Sequence, residues 1–279
     1  MGTNHQSSSS RPATTDRPLH HRQQLVAYLE PNHVGALLRC ARIGARTVTP
    51  LSRLAASTLI VGVAFAACRD ATMGVRTQFV GAYAFTPPER RLIARIAGDT
   101  TREVRQHLPA LPAQITLRVQ SGKDVIPETG ESGTAMPPDW IVFIVDPEHP
   151  DGVTKIAEKH LRAALFHELH HLVRATTLPP HTLMDRIVFE GMATAFERDL
   201  AGANYPWGHY PGDVSKWIDD LNALPSDDSR EEWVSSHPES RWLKYKVGTY
   251  LVDQAMKRVS RSSAELVSAP THDILSITK

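Results

Sequence analysis

The run ALFHELHHLVR, residues 164 to 174, sets three histidines and one glutamate within five consecutive positions of otherwise apolar sequence. Residues four apart on a helix stand one turn above each other on the same face. His167 and His171 have that spacing, so both imidazoles can grip one cation while the backbone stays regular. Neutral imidazole suits Zn2+, and two such nitrogens supply half of a tetrahedral shell. Glu168, beside the first histidine, is not needed for binding. Its carboxylate suits a general base acting on water whose pKa the ion lowers towards about 7. This is the H-E-x-x-H pattern. The bland reading, a helix with surface or core histidines, is weakened by the apolar setting. His170 lies one position off the 167/171 face and reads as a neighbour of the ligands or a solvent-facing residue.

A hydrolytic site needs a third protein ligand and an open fourth position. A histidine at the spacing H-E-x-x-H-x-x-G-x-x-H is excluded, because Arg174 and Thr177 stand there. His181 follows a proline break. The better option is Glu190 in FEGMA, with eighteen residues between it and His171. Pro179 and Pro180 can turn the chain so that a second helix packs on the first, and small Gly191, Ala193 and Ala195 permit close contact. A solvated helical charge is the plain alternative for Glu190. The flanking IVF and GMA are apolar, however, and a buried glutamate without a partner is costly.

The elements that must position these groups follow from periodicity. Residues 86–109 read as a helix capped by Thr86, with Pro87 and Pro88 in its first turn. QITLRVQ, 114–120, alternates as a strand does, and WIVFIVD, 140–146, suits a buried strand. The Gly- and Pro-rich stretch between them, 123–139, reads as a loop. A helix is expected over 154–175 with Thr154 as its cap, and a second over 184–202 ending at Gly202. Shorter helices are expected at 213–223 and 229–235, and a last one at 240–259. One helix, two strands and then mostly helices make an α+β body rather than a βαβ series.

His167, Glu168, His171 and the EGMA at 190–193 resemble the gluzincin class of zinc peptidases. They are similar in particular to a bacterial family of predicted Zn-dependent proteases, a domain of unknown function with an HExxH…EGxA pattern. TGESGTA, IVFIVD and YKVGTYLV fit that family's layout, so the resemblance covers roughly 100 to 259. It implies a small sheet packed on a mainly helical zincin-like domain, with a strand edge above the metal helix. It also implies His167, His171 and Glu190 as zinc ligands and Glu168 as catalytic base.

Water attack on a carbonyl builds a negative oxygen that needs a donor besides the metal. Gluzincins often place a Tyr or His on a later helix for this. Tyr245 is the first choice, with Tyr250 and His209 behind it, although aromatics in an amphipathic helix are usually core. Arg241 and Lys244 suit a substrate carboxylate or a plain solvated face.

With 41% hydrophobic and 22% charged residues, the 279-residue chain has an ordinary globular composition, and its net charge of +1 argues against a nucleic-acid binder. The charge is uneven. Residues 1–67 carry seven Arg and two acids, whereas the rest carry 24 Lys and Arg against 28 acids. Residues 1–52 read as a disordered or weakly structured extension. In 53–68 Arg53 precedes fourteen uncharged, mostly apolar residues that lead through FAA into Cys68, too short to cross a bilayer but suited to a signal. It resembles a lipoprotein signal in which Cys68 becomes lipidated, except that Phe65 replaces the usual aliphatic residue. The long stretch ahead of it would be accounted for by a different native start. The two cysteines, Cys40 and Cys68, make no disulfide framework.

The sequence thus predicts a zinc peptidase-like domain over 69–279, exported to a bacterial cell envelope and attached to membrane through its N-terminal segment, acting on a peptide or protein. Two other readings remain at this stage. One is a membrane-tethered scaffold with structural zinc closed by His170 or His181. The other is a zinc amidase acting on cell-wall material.

Overall fold

The structure, a computed structural model, describes residues 74–278. The extension at 1–52, the signal-like segment with Cys68 and the first residues of the body lie outside the described residues.

Strand β1, Gly74–Val80, is followed by helix α1, Pro87–His107, and strand β2, Gln114–Ser121. The sequence reading starts the body at this helix; a strand precedes it. β1 and β2 pair in parallel, so one βαβ crossover opens the body even though the fold as a whole is α+β. Thr86 caps α1 as expected, in a reciprocal box with Glu89: the Thr86 amide donates to the Glu89 carboxylate at 2.7 Å.

The expected loop over 123–139 contains a third strand, β3, Glu131–Met136, which pairs antiparallel with β4, Trp140–Val145. The sheet order is β1-β2-β4-β3, so β3 is an edge. Ile115, Leu117 and Val119 of β2 and Ile141, Phe143 and Val145 of β4 are buried on one face. Arg118 on the other face is exposed. The buried face packs against Ile93, Ala97 and Val104 of α1 and against the helix carrying the histidines.

That helix begins earlier than expected. Helix α2, Gly152–Ile156, passes through a π-helical turn at Ala157–Leu161 into α3, Arg162–Thr177. Thr154 lies inside α2, and Asp151 flanks it without a side-chain cap. α3 is buried from Leu165 to Arg174. Helix α4, Leu183–Ala201, starts with a Thr182–Asp185 capping box and stops at left-handed Gly202, close to the expected bounds. Helices α5, Val214–Ala223, α6, Asp227–Ser236, and α7, Leu243–Val259, follow as the periodicity predicts; α8, Thr271–Thr278, closes the described chain. No helix among the described residues is long and apolar enough to cross a membrane.

Two arginines, Arg162 partly exposed and Arg174 buried, tie the layers. Arg162 forks Glu103 of α1 and donates to the carbonyls of Leu200 and Ala201 at the end of α4. Arg174, 1% exposed, donates to the carbonyls of Val267 and Ala269 at 2.9 Å each. Burial lowers its pKa to about 10.

α4 packs on α3 as expected, but Gly191 makes its close contact with another helix. Gly191 meets Gly248 of α7: a Cβ on either would fall on the other helix's backbone, that of Gly248 for Gly191 and that of Ile187 for Gly248. The crossing therefore joins α4 to α7 rather than α4 to α3. A Gly248→Val variant should destabilise the protein by about 1–3 kcal/mol or more, because the obstructing atoms are backbone and cannot repack. Thermal unfolding checks this; an unchanged melting temperature would count against the crossing.

Candidate metal centre

α3 and α4 pack side by side, and their facing turns bring three donors together. His167 and His171 stand one turn apart on α3, and Glu190 projects from α4. Their ligand atoms all lie within 4.8 Å of one another. Glu190 Oε2 is 3.2 Å from His167 Nε2 and 3.3 Å from His171 Nε2. Both imidazoles are buried, and the Glu190 side chain is partly so. Two nitrogens and one carboxylate oxygen on two rigid helices are a donor set for zinc. Among the described residues no other group of three or more such side chains forms.

The charges of this cluster are strongly coupled. Burial opposes the charged form of His167, but Glu190 and Glu197, one on each ring nitrogen, outweigh it and lift its pKa to about 10. Burial likewise opposes the Glu190 carboxylate, and the two histidines overcome that, holding its pKa well below the usual range. A positive charge among these groups is thus favoured, and a divalent cation meets the same demand that a proton meets here.

Each histidine is fixed differently. His167 Nδ1 faces Glu197 Oε2 at 3.1 Å. A carboxylate on the outer nitrogen sets the tautomer and aims the other nitrogen inwards. Glu197 is 4% exposed. The sequence reading passed over it, although it lies seven residues after Glu190, two turns along the same face of α4. His171 Nδ1 is buried without a hydrogen bond. Its ring is held by Phe189, stacked at 4.1 Å and 4°.

Glu168 points to the sheet. Its Oε2 accepts from the Ala135 amide of edge strand β3 at 2.7 Å. Gly133 leaves the room for it, since a Cβ there would fall 2.7 Å from Glu168 Oε1. Glu168 is also close enough to His167 to favour its charged form.

His170 is not solvent-facing, as one sequence alternative had it. It is fully buried, with both ring nitrogens lacking a hydrogen bond, and packs 5.3 Å from Phe196. Burial holds it neutral, helped by repulsion from His171 and Arg174, against a weak pull from the Ser263 backbone. His181 is exposed in the turn before α4. Neither joins the cluster, so the fourth protein ligand that a closed structural site needs does not come from them.

The Gly191–Gly248 crossing carries the start of α7 over the centre. The Tyr245 ring lies 6.1 Å from the His167 ring. Tyr245 also adjoins Trp242, which continues to Trp207 and Tyr205 as a row of rings. Tyr250 packs edge-on to Tyr210 instead, and His209 bonds Asn204 on the surface. Arg241 forks Glu128 at 2.7 and 2.8 Å and lies over Trp242. Lys244 stands 3.6 Å from Glu231, which also binds Arg186.

A model of the family described as Predicted Zn-dependent protease (DUF2268) matches residues 93–276. Comparison with curated proteins and with solved structures gives no match. The matched span includes both metal helices and α7 but leaves out β1.

Replacing Glu197 by Ala should weaken zinc binding about 10- to 100-fold while leaving the three donors in place. Competition with a chelator of known affinity measures this. An unchanged dissociation constant would mean that Glu197 does not orient His167.

Proposed function

The chain belongs to this zinc-dependent protease family, and we propose that it hydrolyses peptide bonds with His167, His171 and Glu190 as zinc ligands, Glu168 as general base and Tyr245 as donor to the oxyanion. The observation that carries this reading is the convergence of three donor atoms beside a glutamate that faces an open strand edge.

Zinc held there supplies Lewis acidity, polarising a carbonyl and lowering the pKa of water. Glu168 takes the proton of the attacking water and returns it to the leaving amine. The Ala135 amide supports this role by holding one carboxylate oxygen, which fixes the side chain before substrate arrives. Tyr245 is suited to donate its phenolic proton to the developing negative charge, because its ring borders that of His167. Glu197 keeps the His167 tautomer fixed throughout.

A peptide reaches these groups by adding to the edge of the sheet. Main-chain hydrogen bonds to β3 would align it and leave its sequence largely free. The substrate class is therefore a peptide or protein in extended form. Export and membrane attachment through residues 53–68 belong to the same proposal and rest on that segment's sequence.

Glu168→Gln should retain zinc and lose hydrolysis by at least about 100-fold in kcat. Tyr245→Phe should retain zinc and lower kcat by about 100-fold, with a smaller change in KM. Metal quantification together with peptide-cleavage kinetics tests both. Full activity of Glu168→Gln would refute the mechanism. Full activity of Tyr245→Phe would remove only the oxyanion role.

A further inference from the structure

The strand edge beside the metal centre is short at one end. In β3 the amide of Ala135 points away from β4, towards Glu168. The Gly130 carbonyl just ahead of β3 accepts from Asp146 beyond β4. Antiparallel strands alternate the direction of their peptide groups. Glu131, Gly133 and Ala135 therefore present theirs outwards, on the side where a peptide would add.

The Glu131 position is already filled. The chain ahead of β3 turns back on itself, and the Ile126 amide donates to the Glu131 carbonyl at 2.9 Å. The turn is closed by the Gly130 amide on the Ile126 carbonyl at 2.7 Å. Ser132 Oγ anchors the same loop through the Asp124 carbonyl at 2.7 Å. Across the cleft, Glu128 at the tip of this turn is forked by Arg241 at the start of α7. The loop and α7 thus meet beyond Glu131 and close that end. What remains for a peptide, beside Glu168, is the Gly133 amide and the Ala135 carbonyl, together with the Gly133 carbonyl, which already accepts from Thr134 Oγ1 at 2.7 Å and has a second lone pair.

The polarity of the bound peptide follows from sheet energetics. Antiparallel pairing is the more stable and more frequent arrangement. A peptide antiparallel to β3 directs its C-terminal side towards Glu131. From Gly133 to Glu131 is two residues, about 7 Å, so the chain meets Ile126 within two residues of the cleavage point. The charge at this end suits a chain terminus. Arg241 forks the Glu128 carboxylate there, and a guanidinium with five donors has room for a second carboxylate.

We propose that this peptidase trims C-termini, accepting one or two residues beyond the cleaved bond and a free terminal carboxylate. The inference rests on the peptidase reading and narrows its substrate class.

The test uses the zinc-loaded full chain and a set of decapeptides, read by mass spectrometry. Each is supplied free, N-acetylated or C-amidated. The expected products are single amino acids and dipeptides from the C-terminus. N-acetylation should leave the rate unchanged, and C-amidation should lower kcat/KM about 10-fold or more through the lost charge-assisted contact. Ile126→Pro, which removes the amide that fills the edge, should release longer C-terminal fragments if its melting curve matches the parent's. Internal cleavage by the parent with three or more residues on the C-terminal side would overturn the proposal. So would release from the N-terminus that acetylation blocks. Zinc-loaded protein that cuts no peptide would remove the peptidase reading, and this inference with it.

Discussion

The structure depends on one close contact: two imidazoles on α3 sharing a carboxylate oxygen from α4. A helix turn fixes the histidine spacing, so that part needs only a regular α3. Glu190 is harder to place, because it must arrive from a separate helix at the right height. The Thr182–Asp185 box fixes where α4 starts, and Arg162 ties its last carbonyls to α1 and α3. The Gly191–Gly248 contact then locks α4 against α7. The residue next to Glu190 is thus a packing contact, and the same crossing brings Tyr245 to the centre.

The cluster concentrates charge in a buried place. Glu190 and Glu197 flank His167, and Glu168 adds its field. Without a cation such carboxylates would repel one another in a medium that screens poorly. With one they become favourable. The neutral His170 beside this cluster lies on the apolar side of α3, against Phe196. The helix thus separates a charged face from a core face within two residues, and it places Glu168 on the sheet side.

The two helices and the convergence of His167, His171 and Glu190 were legible in sequence because their signals are local: a turn spacing, a proline break and an apolar glutamate. Helix bounds near Thr86 and Gly202 were legible for the same reason. β3 was not. ESGTAM has small and polar residues and lies among glycines and prolines, which is loop chemistry by composition. It becomes a strand through its register with β4, a non-local pairing, and its lack of bulk is what admits Glu168. β1 was missed because GVRTQFV mixes three apolar residues with polar ones and is only partly buried. Glu197 was visible in principle at two turns from Glu190, but nothing local told it from the charged end of an ordinary helix. The environment of His170 depended on Phe196 and the Ser263 segment, both distant in sequence.

The central claim is a zinc ion held by two imidazole nitrogens and one carboxylate oxygen, with a coordination position left for water. Zinc-edge X-ray absorption on the full-length protein tests it most directly. The account predicts one zinc per chain, with two nitrogen donors at about 2.0–2.1 Å and oxygen donors at about 2.0–2.2 Å. It also predicts loss of this signal in a His167→Ala, His171→Ala double variant. A shell of four protein ligands, or an unchanged signal in the double variant, would contradict it.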